Sequence, residues 1–161
     1  MIIVLWGVSG CGKTTIGEML AHDLGWVFLD ADDFHPQTNI AKMKAGEPLT
    51  DADRTPWLSI LAEKLQRLLN AGENAVLACS ALKQDYRRQL RGDADQITFV
   101  QLAGSFELIG ERLKQRRHEF MNDSLLASQF ETLELGDDVF AVDIGATPVQ
   151  VCHEIKRELE L

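Results

Sequence analysis

The residues whose types and spacing most clearly suggest chemistry form a glycine-rich octapeptide near the start of the chain. Residues 7–14 read GVSGCGKT, which matches the pattern G-x-x-x-x-G-K-[ST] at every fixed position. Glycines let backbone N–H groups curl around an anion, and the N-terminus of a following helix adds partial positive charge. The pattern predicts a loop that binds the phosphates of ATP, formed by Gly7, Val8, Ser9, Gly10, Cys11, Gly12, Lys13, Thr14 and Thr15.

Two side chains of this loop and two nearby carboxylates suggest phosphoryl transfer. Lys13 is predicted to reach the β- and γ-phosphates as a catalytic cation, and the Thr14 hydroxyl to ligate Mg²⁺. Asp30 and Asp32 follow the second apolar run, where one carboxylate can hold the metal and the other can accept a proton from a substrate hydroxyl. We assign the metal role to Asp30 and the base role to Asp32. The alternative is an Asx turn that caps a helix.

A cluster of arginines in the second half of the chain complements these acids. Arg112 and Arg116 are four residues apart and therefore share one face of a predicted helix, while Phe106, Ile109 and Leu113 form its apolar face. We expect both arginines to contact the nucleotide and Arg116 to stabilise the charge that moves during transfer. The alternative is a solvated basic helix end, which the helix dipole favours.

Alternating apolar and amphipathic segments would position these groups. Apolar runs at 2–6, 26–29, 75–79, 97–102 and 139–144 alternate with helical patterns at 13–24, 51–71, 84–91, 105–117 and 147–160. This order predicts an α/β P-loop NTPase fold, with a five-stranded parallel sheet and helices on both faces, in one domain over 1–161. Ligands of such sheets lie beyond the carboxyl ends of the strands. The polar stretches 32–57 and 117–137 fit the alternation badly and are predicted to be functional excursions.

Composition limits the possible partners. The 161 residues include 16 Lys and Arg against 25 Asp and Glu, for a net charge of −9, which argues against a nucleic-acid or anionic-membrane partner. No apolar run approaches the length of a membrane span. The three cysteines are an odd number without C-x-x-C spacing, which favours reduced thiols and a cytoplasmic location.

The segment from residue 30 to residue 57 resembles a known family. It contains H-P-x-x-N-I-x-K-M-x-x-G-x-P-L-x-D-x-D-R-x-P-W, and further matches are CSALK at 79–83 with Tyr86 and Arg87, HEF at 118–120 and SQFETLE at 128–134. Together they resemble the small bacterial gluconate kinases over nearly the whole chain. The resemblance implies ATP-dependent phosphorylation of D-gluconate at its 6-hydroxyl. It also implies a nucleoside-monophosphate-kinase-like fold with a mobile lid at about 117–137, and a homodimer.

Gluconate is a carboxylate with a row of hydroxyls, so its site needs cations and neutral hydrogen-bonding groups. The cations expected to contact it are Lys42, Arg54, Lys83 and Arg87, and the groups expected to read its hydroxyls are His35, Asn39 and Ser80, with Asp32 at the reacting hydroxyl. The alternative for the cations is a set of salt bridges on an acid-rich surface. The family usually has an apolar residue after the second aspartate, where this chain has Asp33.

Three other readings stay open on sequence alone. A shikimate-kinase-like or nucleoside-monophosphate-kinase-like enzyme would share the phosphate loop, the aspartates and the lid arginines. A nucleotide-dependent switch would bind nucleotide without acceptor-stimulated turnover, although the N/T-K-x-D guanine signature of GTPases is missing from the sequence. A nucleic-acid-handling ATPase conflicts with the acidic charge and the lack of a basic stripe interleaved with aromatic residues.

Overall fold

A computed structural model of the chain describes residues 1–115, 123–136 and 140–161. Its centre is a sheet of five parallel strands in the order β2-β3-β1-β4-β5. The strands are β1 (Ile2–Trp6), β2 (Val27–Asp30), β3 (Ala75–Ala78), β4 (Ile97–Ala103) and β5 (Phe140–Asp143). The predicted five-stranded parallel sheet is therefore confirmed.

Seven α-helices are present in the described part of the chain. They are α1 (Lys13–Leu24), α2 (Gln37–Lys44), α3 (Asp51–Asn70), α4 (Gln84–Arg91), α5 (Phe106–Gln115), α6 (Asp123–Thr132) and α7 (Pro148–Glu158), and a 3-10 turn spans Ala31–Phe34. Five of them match predicted helical segments. The other two, α2 and α6, lie inside the two polar excursions, which the alternation of apolar and amphipathic segments did not predict as helical. Within the predicted lid, residues 117–122 and 137 lie outside the described residues.

The sheet separates two hydrophobic cores because successive side chains of a strand point to opposite faces. Ile3 and Leu5 of the central strand pack with α1, α5 and α7, whereas Ile2, Val4 and Trp6 pack with α3 and α4. Every residue of β1 is buried, which explains why its sequence is a continuous apolar run. The edge strands β2 and β5 are more exposed.

Local sequence signals fix the ends of several helices. The chain leaves α1 through Gly25, which adopts a left-handed φ of 66°, a conformation that favours glycine. Thr147 and Gln150 form a capping box at the start of α7, with Pro148 in its first turn. Thr50 and Asp53 form a second capping box at α3.

The strand order brings the candidate functional segments to one edge of the sheet. β1 lies between β3 and β4 and leads into the phosphate loop, and β3 lies beside β2. Asp30 therefore ends one strand while Ser80 closely follows its neighbour, and the backbone N–H of Gly7 donates to the Ser80 carbonyl at 3.2 Å. Among the described helices, none is both long and apolar enough to cross a membrane.

Candidate active site

The phosphate loop is built mainly from backbone. Lys13 turns back over it, and its Nζ donates to the carbonyls of Gly7 and Val8 at 3.0 Å each. Gly7 has a φ of 145°, and a Cβ there would lie 2.9 Å from the Leu102 carbonyl oxygen, so this position requires glycine. Gly12 precedes α1 without a side-chain cap, which leaves the first N–H groups of the helix for an anion.

Thr14 and Asp30, the two predicted metal ligands, are in contact. The Thr14 hydroxyl donates to Asp30 Oδ2 at 3.0 Å, and Asp30 Oδ1 accepts the backbone N–H of Asp32 at 3.1 Å. Hydroxyl and carboxylate oxygens are the hard ligands that Mg²⁺ takes. No group of three or more His, Cys, Asp or Glu side chains within 1–115, 123–136 and 140–161 is arranged to hold a metal. Mg²⁺ at this pair would therefore need phosphate oxygens and water to complete its coordination.

Asp32 lines a cavity of 260 Å³ together with Lys13, Thr14, Asp30 and Ser80. Desolvation between the cavity walls raises the pKa of the Asp32 carboxyl above its ordinary value, and the Asp30 carboxylate raises this pKa further. The side chain is still 87% exposed, so water reaches it and limits the rise. Asp32 thus lies in the same cavity as Lys13 and Thr14, and its role as the base stays a prediction.

His35 is held by packing next to Asp32. Its ring stacks on Trp57 with centroids 4.3 Å apart, and its Nε2 lies 3.8 Å from Asp32 Oδ1. Burial lowers the pKa of His35, which favours the neutral form of the ring. Asn39 Nδ2 lies 3.3 Å from His35 Nδ1 and 2.9 Å from the Asp53 carbonyl oxygen. Two of the three groups predicted to bind the hydroxyls, His35 and Asn39, thus lie in contact.

Trp57 fixes the turn that carries Asp32. Its side chain is 3% exposed, and its Nε1 donates to the Ala31 carbonyl at 2.8 Å. An aromatic residue at this position is therefore a core residue, and its core contacts position His35 and the backbone next to Asp32. The substrate-side turn depends on α3 for its conformation.

Lys42 and Arg54, two predicted substrate cations, have partners within their own excursion. Lys42 Nζ contacts both carboxylate oxygens of Asp53 at 2.8 and 2.9 Å. The hydrogen bond from Lys42 and the backbone N–H of Thr50 lower the pKa of Asp53 to about 2. Arg54 Nη1 donates to the Leu49 carbonyl at 2.7 Å. These contacts favour a structural role for Lys42, and its predicted contact with the substrate stays a prediction.

Lys83 belongs to a second polar cluster, which is centred on Asp51. Its Nζ contacts both oxygens of Asp51, at 3.0 and 2.9 Å, and the Tyr86 hydroxyl donates to the same carboxylate. The hydrogen bonds from Tyr86 and Lys83 lower the pKa of Asp51, and the bond to Asp51 raises the pKa of Lys83. Arg54 Nη1 lies 4.0 Å from Asp51 Oδ1. In this cluster the carboxylate of Asp51 pairs with Lys83 and lies near Arg54, two of the cations predicted to bind the carboxylate of the substrate.

Ser80 and Arg87, two further residues predicted to bind the substrate, differ in burial: Ser80 is partly exposed and Arg87 is buried. Ser80 lines the cavity that contains Asp32. Arg87 is 5% exposed, stacks over Trp6 at 4.0 Å from the ring centroid, and donates to the carbonyls of Ala81 and Glu134 at 2.9 and 2.7 Å. These contacts favour a positioning role for Arg87, which holds the loop after β3. Its predicted contact with the substrate stays a prediction.

Of the two arginines predicted to contact the nucleotide, the structure describes Arg112 but not Arg116. Arg112 Nη2 donates to the Ile144 carbonyl at 2.6 Å, so its guanidinium lies at the turn between β5 and α7. Its predicted contact with the nucleotide stays a prediction. Arg116, the predicted catalytic arginine, lies outside the described residues.

Sequence reasoning missed the partners of the predicted site residues. Asp51 and Asp53 pair with the cations of the substrate side, and Gln129 lines the cavity with the phosphate loop. The capping pattern of α3 was a signal for Asp53, because an acid three residues after Thr50 is typical of a helix start. Asp51 and Gln129 lie within the segments that resemble the family, but their contacts with the site are formed only by the tertiary fold.

The fold and this site define a class of protein, the P-loop small-molecule kinases. A family model described as "AAA domain" matches residues 2–135. The gluconokinase of Gluconobacter oxydans (strain 621H) is 47% identical over 161 residues, with 98% of this chain and 90% of that protein covered.

Solved structures agree with this match. A sugar kinase from Janibacter sp. HTCC2649 has a TM-score of 0.90 at 42% identity, covering 99% of this chain and 94% of that one. A gluconokinase from Sinorhizobium meliloti 1021 has a TM-score of 0.86 at 41% identity, covering 98% and 90%. The chain belongs to the gluconokinase family, among the P-loop proteins that the AAA-domain model describes. It is an ATP-dependent kinase.

Proposed function

We propose that the chain transfers the γ-phosphoryl group of ATP to the 6-hydroxyl of D-gluconate, giving 6-phospho-D-gluconate and ADP. The observation that carries the proposal is the shared cavity, in which Asp32 faces the same space as Lys13 and Thr14. An acceptor hydroxyl held at Asp32 would meet a phosphate held by the loop. The family membership supports gluconate as the acceptor.

Asp32 acts as the general base in this proposal. The bond between the 6-oxygen and the γ-phosphorus forms, the bond between that phosphorus and the bridging oxygen of ADP breaks, and the hydroxyl proton passes to the Asp32 carboxylate. Lys13 exchanges its contacts with the Gly7 and Val8 carbonyls for phosphate oxygens. Thr14 and Asp30 would hold Mg²⁺, which would supply positive charge beside the phosphates, and Arg116 and Arg112 would supply further cations on the nucleotide side.

The polar excursion after β2 and the loop after β3 bind the acceptor. His35, Asn39 and Ser80 are suited to hydroxyls because they are neutral hydrogen-bonding groups. Lys83 and Arg54 are suited to the carboxylate, which would replace the carboxylate of Asp51 as their partner. Residues 1–161 act as one kinase domain, and the reaction takes place in the cytoplasm, which the three free cysteines favour. The homodimer implied by the family resemblance is part of the same proposal.

An acceptor panel tests the function. ADP release is measured with Mg²⁺ and ATP against D-gluconate, 6-deoxy-D-gluconate, shikimate, nucleoside monophosphates and related sugar acids. We expect turnover with D-gluconate and none with the 6-deoxy compound, which retains the carboxylate but lacks the reacting hydroxyl. Turnover with shikimate or a nucleoside monophosphate in place of gluconate would overturn the acceptor. Nucleotide binding without turnover on any acceptor would favour a nucleotide-dependent switch.

A further inference from the structure

The side chain of Gln129, on α6, accepts a hydrogen bond from a backbone N–H group of the phosphate loop. The backbone N–H of Ser9 donates to Gln129 Oε1 at 2.7 Å, and Gln129 Nε2 donates to Ser9 Oγ at 3.3 Å. The orientation of the amide follows from chemistry, because an N–H can only donate and the atom facing it must be the oxygen. Gln129 is thus hydrogen-bonded to both the backbone N–H and the hydroxyl of Ser9.

The helix that carries Gln129 is docked on the core. Leu126 is 1% exposed, and Phe130 packs against Phe106 with ring centroids 5.7 Å apart. Beyond the helix, the Glu134 N–H donates to the Leu82 carbonyl at 2.8 Å, and the Glu134 carboxylate accepts the N–H of Gln84 at 2.8 Å. Contacts at both the apolar face and the C-terminal end hold Gln129 at the loop.

Gln129 lies on the side of the loop where transfer takes place. The cavity that it lines is the one that contains Asp32, Asp30 and Lys13. If Asp32 accepts the proton of the acceptor, the γ-phosphate must enter this cavity, next to the Gln129 amide. The N–H of Ser9 cannot serve both the amide oxygen and a phosphate oxygen fully, since one hydrogen has one strong acceptor at a time.

We propose that Gln129 contacts the transferred phosphoryl group. The γ-phosphate takes the Ser9 N–H, the amide oxygen of Gln129 is released from it, and the amide NH₂ donates to a γ-phosphate oxygen. An amide NH₂ carries two N–H groups, so it can make this contact without adding charge. The contact strengthens as negative charge shifts during transfer, which lowers the barrier. This inference rests on the proposed kinase site but is independent of which acceptor is used.

Two substitutions test the contact with the phosphoryl group. Gln129→Glu keeps an acceptor for the Ser9 N–H, removes both donors and places a carboxylate next to the γ-phosphate. We expect the ratio of the Kd of the non-hydrolysable ATP analogue AMP-PNP to the Kd of ADP to rise at least about tenfold, because like charges at close range repel. Gln129→Ala should lower kcat about 10- to 100-fold and change KM for the acceptor less than about threefold.

Titration calorimetry with Mg²⁺ and each nucleotide, without acceptor, gives the affinity ratio. A general loss of folding affects both nucleotides and cancels in this ratio, so a structural role for Gln129 would leave it unchanged. Glu131→Ala is the matched control, since this residue is exposed on the same helix, and it should behave like the wild type. An unchanged affinity ratio in Gln129→Glu, or a wild-type kcat in Gln129→Ala, would overturn the proposal. Turnover with an acceptor other than gluconate would instead overturn the proposed function and leave this test valid.

Discussion

The phosphate loop and the proposed acceptor side, which carries the residues predicted to bind gluconate, are built in different ways. The phosphate loop is shaped by backbone geometry, with a required glycine at Gly7 and an uncapped helix start at Gly12. The acceptor side is held by side-chain pairs, such as Lys42 with Asp53 and Lys83 with Asp51. The shape of a backbone site does not depend on ion pairs between side chains, whereas a side-chain site exists only while each pair is in place.

This difference determines how substitutions should separate the two sides. A change to the acceptor side should alter turnover or acceptor binding while ATP affinity stays near the wild-type value, because the loop does not depend on those ion pairs. A change that lowers both would show that the two sides are one cooperative unit.

Removing the proposed base should have the largest effect. Asp32→Asn keeps the size of the side chain and removes its ability to accept a proton, so we expect kcat to fall about 10²- to 10⁴-fold. The Kd for ATP, measured by calorimetry, should change little, since the loop N–H groups and Lys13 are untouched. A variant that keeps the wild-type kcat would exclude Asp32 as the base. Asp33→Asn at the adjacent exposed position is the matched control.

Removing the cation of the second polar cluster should have the next largest effect. Lys83→Met deletes the charge expected at the substrate carboxylate, and we expect KM for gluconate to rise about 10- to 100-fold, the range for a lost charge-assisted hydrogen bond. The Kd for ATP should stay constant. Arg88→Met, which removes an exposed cation paired with Asp85 on the same helix, should leave KM unchanged. Equal effects of the two substitutions would contradict the assignment of Lys83.

Loosening the turn that carries Asp32 should cost stability. Trp57→Phe keeps an aromatic ring but leaves the buried carbonyl of Ala31 without its indole donor. We expect the free energy of unfolding, measured by urea denaturation, to fall by about 1–3 kcal/mol. Trp26→Phe, at a half-buried ring on the opposite face of the sheet, provides the comparison. An unchanged free energy of unfolding in Trp57→Phe would show that the hydrogen bond adds nothing.

The charge of Asp53 should give a smaller effect that depends on pH. Its pKa in the folded protein is about 2, below its ordinary value of 3.8. A lowered pKa stabilises the fold at pH values above the ordinary pKa, and this contribution is lost as the pH falls from there towards 2. The difference in free energy of unfolding between wild type and Asp53→Asn should be constant at neutral pH and shrink in that acidic range. A difference that does not vary with pH would contradict the pairing with Lys42.

Sequence reasoning predicted most of the fold because its signals are local. The apolar run of β1, the glycine after α1 and the capping box of α7 each specify an element from a few adjacent residues. The helices α2 and α6 were missed because they lie in polar segments, where the alternation of apolar strands and amphipathic helices gives no signal. Their positions depend on tertiary contacts such as those of Leu126 and Phe130 with the core.

The candidate site likewise contains residues that local sequence signals identify and contacts that only the tertiary fold creates. The loop motif identified Lys13 and Thr14, and the end of β2 identified Asp30, which the structure brings into contact with Thr14. The partners of the acceptor-side cations could not be predicted, because Asp51 and Lys83 are 32 residues apart and meet only in the folded chain. Residue type alone also misleads about Arg87. A cation there suggested a substrate contact, but the side chain is buried and stacks over Trp6, which favours a structural role.

In the proposed reaction, the acceptor side delivers the 6-hydroxyl of gluconate to the phosphate held by the loop. The most direct test is the ³¹P and ¹³C NMR spectrum of the product formed from Mg²⁺, ATP and uniformly ¹³C-labelled D-gluconate. We predict one phosphate monoester whose phosphorus couples to carbon 6, together with one ADP for each ester formed. A phosphate on another carbon, or ADP and free phosphate without any ester, would contradict the account.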